Sequence, residues 1–102
     1  MNIGCDIIKN KRLENVNSRF IELVLTEKEI VEYKKKGLTY LTGRFAAKEA
    51  IMKCLNNTKK MTFNDIEVLN DKNGKPICNI KNIKVTISHE KDYTMAVAIL
   101  IK

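Results

Sequence analysis

The chain has 102 residues, 44% of them hydrophobic, with no Trp, three Cys and a single His. That length predicts a single domain spanning residues 1–102 with one modest core, and no apolar run approaches the roughly 20 residues that a membrane span requires. The lone histidine and three widely separated cysteines argue against a His-rich metal site, a zinc knuckle or a disulfide frame, while a net charge of +7 points to an anionic partner without choosing among nucleic acid, an acidic protein and a phosphorylated small molecule.

Met1 runs directly into a strand pattern with no secretory signature, so a cytoplasmic protein is expected, with Cys5, Cys54 and Cys78 as reduced thiols buried in apolar surroundings. Residues 2–8 alternate: Ile3, Cys5 and Ile7 face one way, Asn2, Gly4 and Asp6 the other. Asp6 is therefore either the innocent charge of an edge strand or a site residue. A basic link follows through Lys9, Lys11 and Arg12, and Asn17 with Ser18 caps a short helix running to Leu25. Thr26 and Glu29 have the spacing of a capping box. The helix they start carries Ile30, Val31 and Tyr33, gathers Lys34, Lys35 and Lys36 in its last turn, and stops at Gly37. Thr39 is placed to cap a long central helix that reaches about Leu55. Beyond it the period changes to two. Residues 63–69 read as a strand, 70–76 as a turn built on Asn73-Gly74, and 77–80 as its return. Residues 84–88 and 93–101 are two more strands, joined by the charged turn at 89–92. Strand, helices and then two hairpins describe an α+β fold, an antiparallel or mixed sheet packed on a long central helix.

The central helix carries four charges among small and apolar residues. At about 100° per residue, Leu41, Phe45 and Met52 share one side. Glu49 and Lys53 lie on one flank of that stripe, Arg44 and Lys48 on the other, and Ala46, Ala47, Ala50, Ile51, Cys54 and Leu55 fill the rest. A helix apolar nearly all round is buried, and buried charges need partners or a task. Glu49 and Lys53 are also spaced as an ordinary i, i+4 surface pair. If Asp6 meets Glu49, two carboxylates and a lysine make a holder for Mg²⁺ against phosphate oxygens, which is most of what phosphoryl transfer requires.

Gly4-Cys5-Asp6-Ile7-Ile8, the run from Gly43 to Ala50 (Gly43-Arg44-Phe45-Ala46-Ala47-Lys48-Glu49-Ala50) with Lys53, Phe63-Asn64-Asp65-Ile66-Glu67, Asn73-Gly74-Lys75-Pro76 and Ile87-Ser88-His89 stand in the order found in the holo-[acyl-carrier-protein] synthases, and the chain resembles them over nearly its whole length. These are the small 4′-phosphopantetheinyl transferases. The resemblance implies the 4′-phosphopantetheinyl transferase-like fold, a homotrimer with sites at subunit interfaces, and transfer of the phosphopantetheine arm of coenzyme A to a serine of apo acyl carrier protein, in support of fatty acid biosynthesis. It implies that Asp6 and Glu49 hold Mg²⁺, and that Lys53 contacts the pyrophosphate and protonates the departing phosphate. Arg44, Phe45, Lys75, Pro76 and His89 are implied to line the coenzyme site, and Arg12 and Arg19 to dock the acidic carrier protein. The serine proton has two candidate acceptors, Glu49 and a metal-linked water. Two departures stand out. The family has a glycine-containing loop after the lysine, where this chain has Cys54-Leu55-Asn56-Asn57-Thr58, and the stretch between the two long helices is shorter than usual.

Each residue also has a plainer reading: His89 as a turn or capping residue, Lys75-Pro76 as turn chemistry, Arg12 and Arg19 as solvated charges. The rival classes are a small basic nucleic-acid-binding domain and an inactive structural subunit. Against the first, no pair of strand aromatics offers to stack bases and no single helix gathers the charge.

Overall fold

The structure, a computed structural model, describes residues 1–56 and 60–101. Strand β1 (Asn2–Lys9) leads through a 3-10 turn (Asn10–Leu13) into helices α1 (Ser18–Val24), α2 (Glu27–Lys36) and α3 (Leu38–Cys54). A second 3-10 turn (Phe63–Asp65) precedes β2 (Val68–Asn70), β3 (Pro76–Cys78), β4 (Ile83–His89) and β5 (Tyr93–Leu100). β1, β5 and β4 form an antiparallel sheet in that order, and β2 and β3 form a separate hairpin. The expected α+β fold is present, with the sheet antiparallel throughout.

The core lies between α3 and the three-stranded sheet. Ala46, Ala47, Ala50, Ile51 and Cys54 of α3 are buried with Ile8, Val85, Ala96 and Ala98 of the strands. Small side chains on both surfaces let helix and sheet approach closely. β1 is an edge strand, and Gly4, Asp6 and Ile8 are the residues it turns toward α3, with Gly4 and Ile8 fully buried. Ile3, Cys5 and Ile7 point outward and are exposed, so the alternation is as expected but the more apolar face lies outside. Cys5 is consequently an exposed thiol, which corrects the expectation of three buried ones. Cys54 is buried, Cys78 is half-buried, and all three are free.

Local chemistry sets the helix boundaries. The Asn17 carboxamide accepts from the Phe20 N–H at 2.9 Å, and Thr26 and Glu29 close both bonds of the capping box. Gly37 ends α2 with φ +76° and at once begins α3, so Thr39 lies inside α3 rather than capping it. The expected strand at 63–69 is shorter. Thr62 and Asp65 form a second capping box that folds Phe63–Asp65 into a 3-10 turn, and regular pairing starts only at Val68.

Lys48 fixes α3 against the rest. Its ammonium, fully buried, donates to Glu29 Oε1 and the Val24 carbonyl, both at 2.6 Å, and to the Phe63 carbonyl at 3.1 Å. Glu29 uses its other oxygen to accept from the Val68 N–H at 2.7 Å. One buried ion pair thus ties α1, α2, α3 and the start of β2 together. Burial holds the Lys48 pKa below the ordinary lysine value, against the pull of Glu29.

Candidate active site

The site begins with an absent side chain. A Cβ on Gly4 would overlap the Ala50 carbonyl and stand 2.6 Å from the Cys54 nitrogen, so β1 reaches this close to α3 only because residue 4 has none. Two residues on, Asp6 occupies the same face of the strand. The Lys53 ammonium donates to Asp6 Oδ1 at 3.2 Å and to the Cys5 carbonyl at 3.0 Å. One helical turn earlier, the half-buried Glu49 makes no hydrogen bond or ion pair among the described residues. Its carboxyl is pushed above the ordinary glutamate range by burial first and by the negative charge of Asp6 second, with Lys53 pulling the other way. Asp6, Glu49 and Lys53 are therefore electrostatic neighbours.

The chemistry of this donor set fits a hard divalent cation. Among the described residues no group of three or more His, Cys, Asp or Glu side chains gathers as a protein metal cage. A pair of carboxylates, one of them without a partner among the described residues and pushed toward protonation by burial and then by the other, would be relieved by a cation whose remaining coordination comes from water and phosphate. Mg²⁺ prefers that arrangement to an all-protein cage.

A second group surrounds Arg44, which is almost wholly buried. Its guanidinium donates to Asn70 Oδ1 at 2.7 Å and stacks over the Tyr40 ring at 4.2 Å, while its buried Nε has no hydrogen-bond partner among the described residues. Tyr40 and Asn70 line an open groove of about 410 Å³ with Lys28, Val31, Glu32 and Leu69. Asn70 pairs with Pro76 across the hairpin, and Lys75 and Pro76 border a neighbouring groove of about 280 Å³. His89 closes the other side. Its ring packs against Gly43, and its Nδ1 meets Thr94 Oγ1 at 3.1 Å. Thr94 donates its own proton to Asn10 Oδ1 at 2.7 Å. The Thr94 hydroxyl therefore accepts from His89, which assigns the hydrogen to Nδ1 and leaves Nε2 as an acceptor in the neutral ring. Burial and the Arg44 charge both lower the His89 pKa, favouring that neutral form.

Of the remaining sequence candidates, Phe45 sits between Phe20 and Phe63 in a stacked aromatic row, with centroids 6.1 and 5.3 Å apart. Arg12 on the first 3-10 turn and Arg19 on α1 are exposed and make no ion pair among the described residues. Asn56 adopts a left-handed backbone with φ +52°, the conformation expected where the family has glycine, while Asn57 and Thr58 lie outside the described residues. Sequence reasoning passed over Tyr40, Asn70, Asn10 and Thr94. Asn70, Asn10 and Thr94 have partners distant in the chain, so no local pattern marks them, whereas Tyr40 stands one helical turn before Arg44, an i, i+4 spacing that the sequence does show.

A profile of the 4′-phosphopantetheinyl transferase superfamily matches residues 2–98. The chain belongs to that superfamily. It is 41% identical over 111 residues to the holo-[acyl-carrier-protein] synthase of Geobacillus sp. (strain WCH70), covering 96% of this chain and 93% of the relative. It is similar to the crystal structure of a holo-(acyl-carrier-protein) synthase from Bacillus anthracis str. Ames in complex with CoA (3′,5′-ADP), with a TM-score of 0.87 and 38% identity over 95% of this chain and 92% of that one. The Helicobacter pylori holo-[acyl-carrier-protein] synthase in complex with coenzyme A superimposes with a TM-score of 0.87 at 28% identity, over 97% of this chain and 99% of that one. The transferase-like fold expected from the motifs is thus the fold of the relatives. Among the described residues, no helix is long and apolar enough to cross a membrane.

Proposed function

We propose that this chain is a holo-[acyl-carrier-protein] synthase, transferring the 4′-phosphopantetheine arm of coenzyme A to a serine of apo acyl carrier protein and releasing adenosine 3′,5′-bisphosphate. The observation that carries the reading is the meeting of Asp6 with Glu49 and Lys53 where β1 crosses α3, in a chain of this superfamily.

In this reading Asp6 and Glu49 hold Mg²⁺, which when bound supplies positive charge to the pyrophosphate and to the oxygen that leaves. The serine oxygen forms a bond to the phosphorus bearing the pantetheine arm, and the bridging P–O bond on the adenosine side breaks. The serine proton goes to Glu49 or to a water that the metal would hold beside it. Lys53 moves from Asp6 to the pyrophosphate, neutralises the departing phosphate and gives it a proton. The buried Arg44 with Tyr40 and Asn70, together with Lys75, Pro76 and neutral His89, forms the nucleotide end, and Phe45 stiffens the helix face between the two ends. Arg12 and Arg19, exposed without internal partners, receive the acidic carrier protein, and the surplus of seven positive charges favours that encounter.

The outer sheet face supports self-association into a homotrimer. Ile3 and Ile7 are 69% and 63% exposed; Met95 of β5 lies opposite Ile7 with Tyr93 next along, and Ile99 lies opposite Ile3. A groove of about 150 Å³ lined by Ile7, Tyr93 and Met95 also includes His89, so a second chain on this face would border the nucleotide end. A cytoplasmic location belongs to the same proposal. The nucleic-acid alternative gains nothing from the structure, because Phe20, Phe45 and Phe63 stack on one another rather than offering faces to bases. Incubation with apo acyl carrier protein, coenzyme A and Mg²⁺ tests the enzyme reading: the carrier should gain the mass of one phosphopantetheine, and an unchanged carrier mass refutes the reading.

A further inference from the structure

We infer that Lys53 is the internal counter-ion of Asp6, occupying one oxygen of the metal-binding carboxylate until a divalent cation displaces it, so that lysine and metal compete for the same acid. The inference rests on the reading of Asp6 and Glu49 as metal ligands and concerns what this chain does before the metal arrives.

The geometry carries it. The Lys53 ammonium is not directed at Glu49, its i, i+4 neighbour on the same helix. It crosses to β1, where it bonds both Asp6 Oδ1 and the Cys5 carbonyl. Two oxygens from adjacent residues, one anionic, form a small cation seat, and the lysine fills it. The two partners differ in mobility. The Lys53 side chain is 55% exposed and the Asp6 side chain 15%, so the acid is held while the base remains free to swing. Without a metal the two carboxylates share one ammonium, which bonds Asp6 and leaves Glu49 without a partner among the described residues. A divalent cation between the carboxylates neutralises both and repels the ammonium. Released from Asp6, Lys53 is free to meet a phosphate, so arrival of the metal also readies the lysine. The two cationic roles are thereby ordered: metal first, lysine to substrate second.

Exposed ion pairs of this kind are worth up to about 1 kcal/mol, so removing the competitor should tighten metal binding by roughly two- to fivefold. The test titrates Mn²⁺, as a spectroscopic stand-in for Mg²⁺, into the full chain without coenzyme A, comparing wild type with Lys53→Met, Lys53→Gln and Asp6→Asn by calorimetry and by the Mn²⁺ resonance signal. The expected result is weak binding by wild type, tighter binding by both Lys53 variants and loss of binding in Asp6→Asn. Binding that depends on Asp6 but is unchanged or weakened in both Lys53 variants overturns the counter-ion inference while leaving the metal site intact. Absence of Asp6-dependent binding in all of them overturns the metal site and the inference together. Two variants of different polarity guard against a folding defect in one, and a circular dichroism melt of each confirms that the fold persists.

Discussion

Gly4 does more for the site than any side chain that touches it. The strand and helix that carry Asp6, Glu49 and Lys53 come together because nothing projects from Cα at this position, and the atoms opposite are backbone, which cannot step aside. Gly4→Ala should therefore lower stability by about 1–3 kcal/mol in a denaturant melt, the range for overpacking a close contact. It should weaken Mn²⁺ binding more than it weakens the fold, because the strand has to lift away from α3. Normal metal affinity in a destabilised Gly4→Ala protein would show that the close approach serves packing alone. Glu49 makes a second residue-scale case. A carboxyl whose folded pKa lies above its unfolded one binds its proton more tightly when folded, so it strengthens the fold as pH falls through the folded value and weakens it above. Metal-free Glu49→Gln should thus melt higher than metal-free wild type at neutral pH, with the advantage shrinking as pH falls through the raised folded value and gone once pH lies below the ordinary glutamate range. Mg²⁺ should raise the wild-type melting temperature and leave that of Glu49→Gln unchanged.

The elements were legible in the sequence wherever a local rule decides them and illegible where a distant partner does. Asn17 and the Thr26–Glu29 box announce α1 and α2 because each cap is closed within three residues. The apolar wrap of α3 marks it as buried, and its charges as needing partners, but the pattern cannot show that Lys48 is matched by Glu29, 19 residues away and already engaged in a cap. Alternation in β1 places Asp6 opposite the isoleucines, yet which face meets α3 is decided by Gly4, whose effect depends on what lies across from it. Residues 63–69 look like a strand by composition, and the Thr62–Asp65 pair that curls them has the same cap spacing as α2 but opens a turn of only three residues. At the junction of α2 and α3, Gly37 with φ +76° and ψ −150° occupies a backbone region reserved for glycine. A Cβ there meets nothing within 4 Å, so the penalty for Gly37→Ala is conformational only. That substitution should cost about 1–3 kcal/mol by chemical unfolding. A neutral result would mean that the α2–α3 joint relaxes without strain.

At the scale of the whole molecule, the sheet is covered on one side only. α3 seals the face that carries Gly4, Asp6 and Ile8, while Ile3, Ile7, Tyr93 and Met95 are left open to solvent on the other. A contiguous exposed apolar patch on so small a chain marks an interaction surface, and the two ends of the candidate site relate to it differently. Asp6, Glu49 and Lys53 lie at the contact of β1 and α3, on the covered side. His89 also packs its ring on Gly43 of α3, yet it borders the groove that Ile7, Tyr93 and Met95 line on the open side. If homotrimer formation uses this face, breaking it should damage the two ends unequally. Ile7→Glu places a charge opposite Met95 in the β1–β5 register and makes burial of the face unfavourable. Light scattering should then give three times the chain mass for wild type and a single chain mass for the variant. Mn²⁺ binding should survive in the separated chain, while coenzyme A affinity should fall at least tenfold because the nucleotide end has lost its neighbour. A wild type that scatters as a single chain, or an Ile7→Glu protein that keeps both its trimer mass and its coenzyme A affinity, would remove the outer face from the account of how this enzyme assembles.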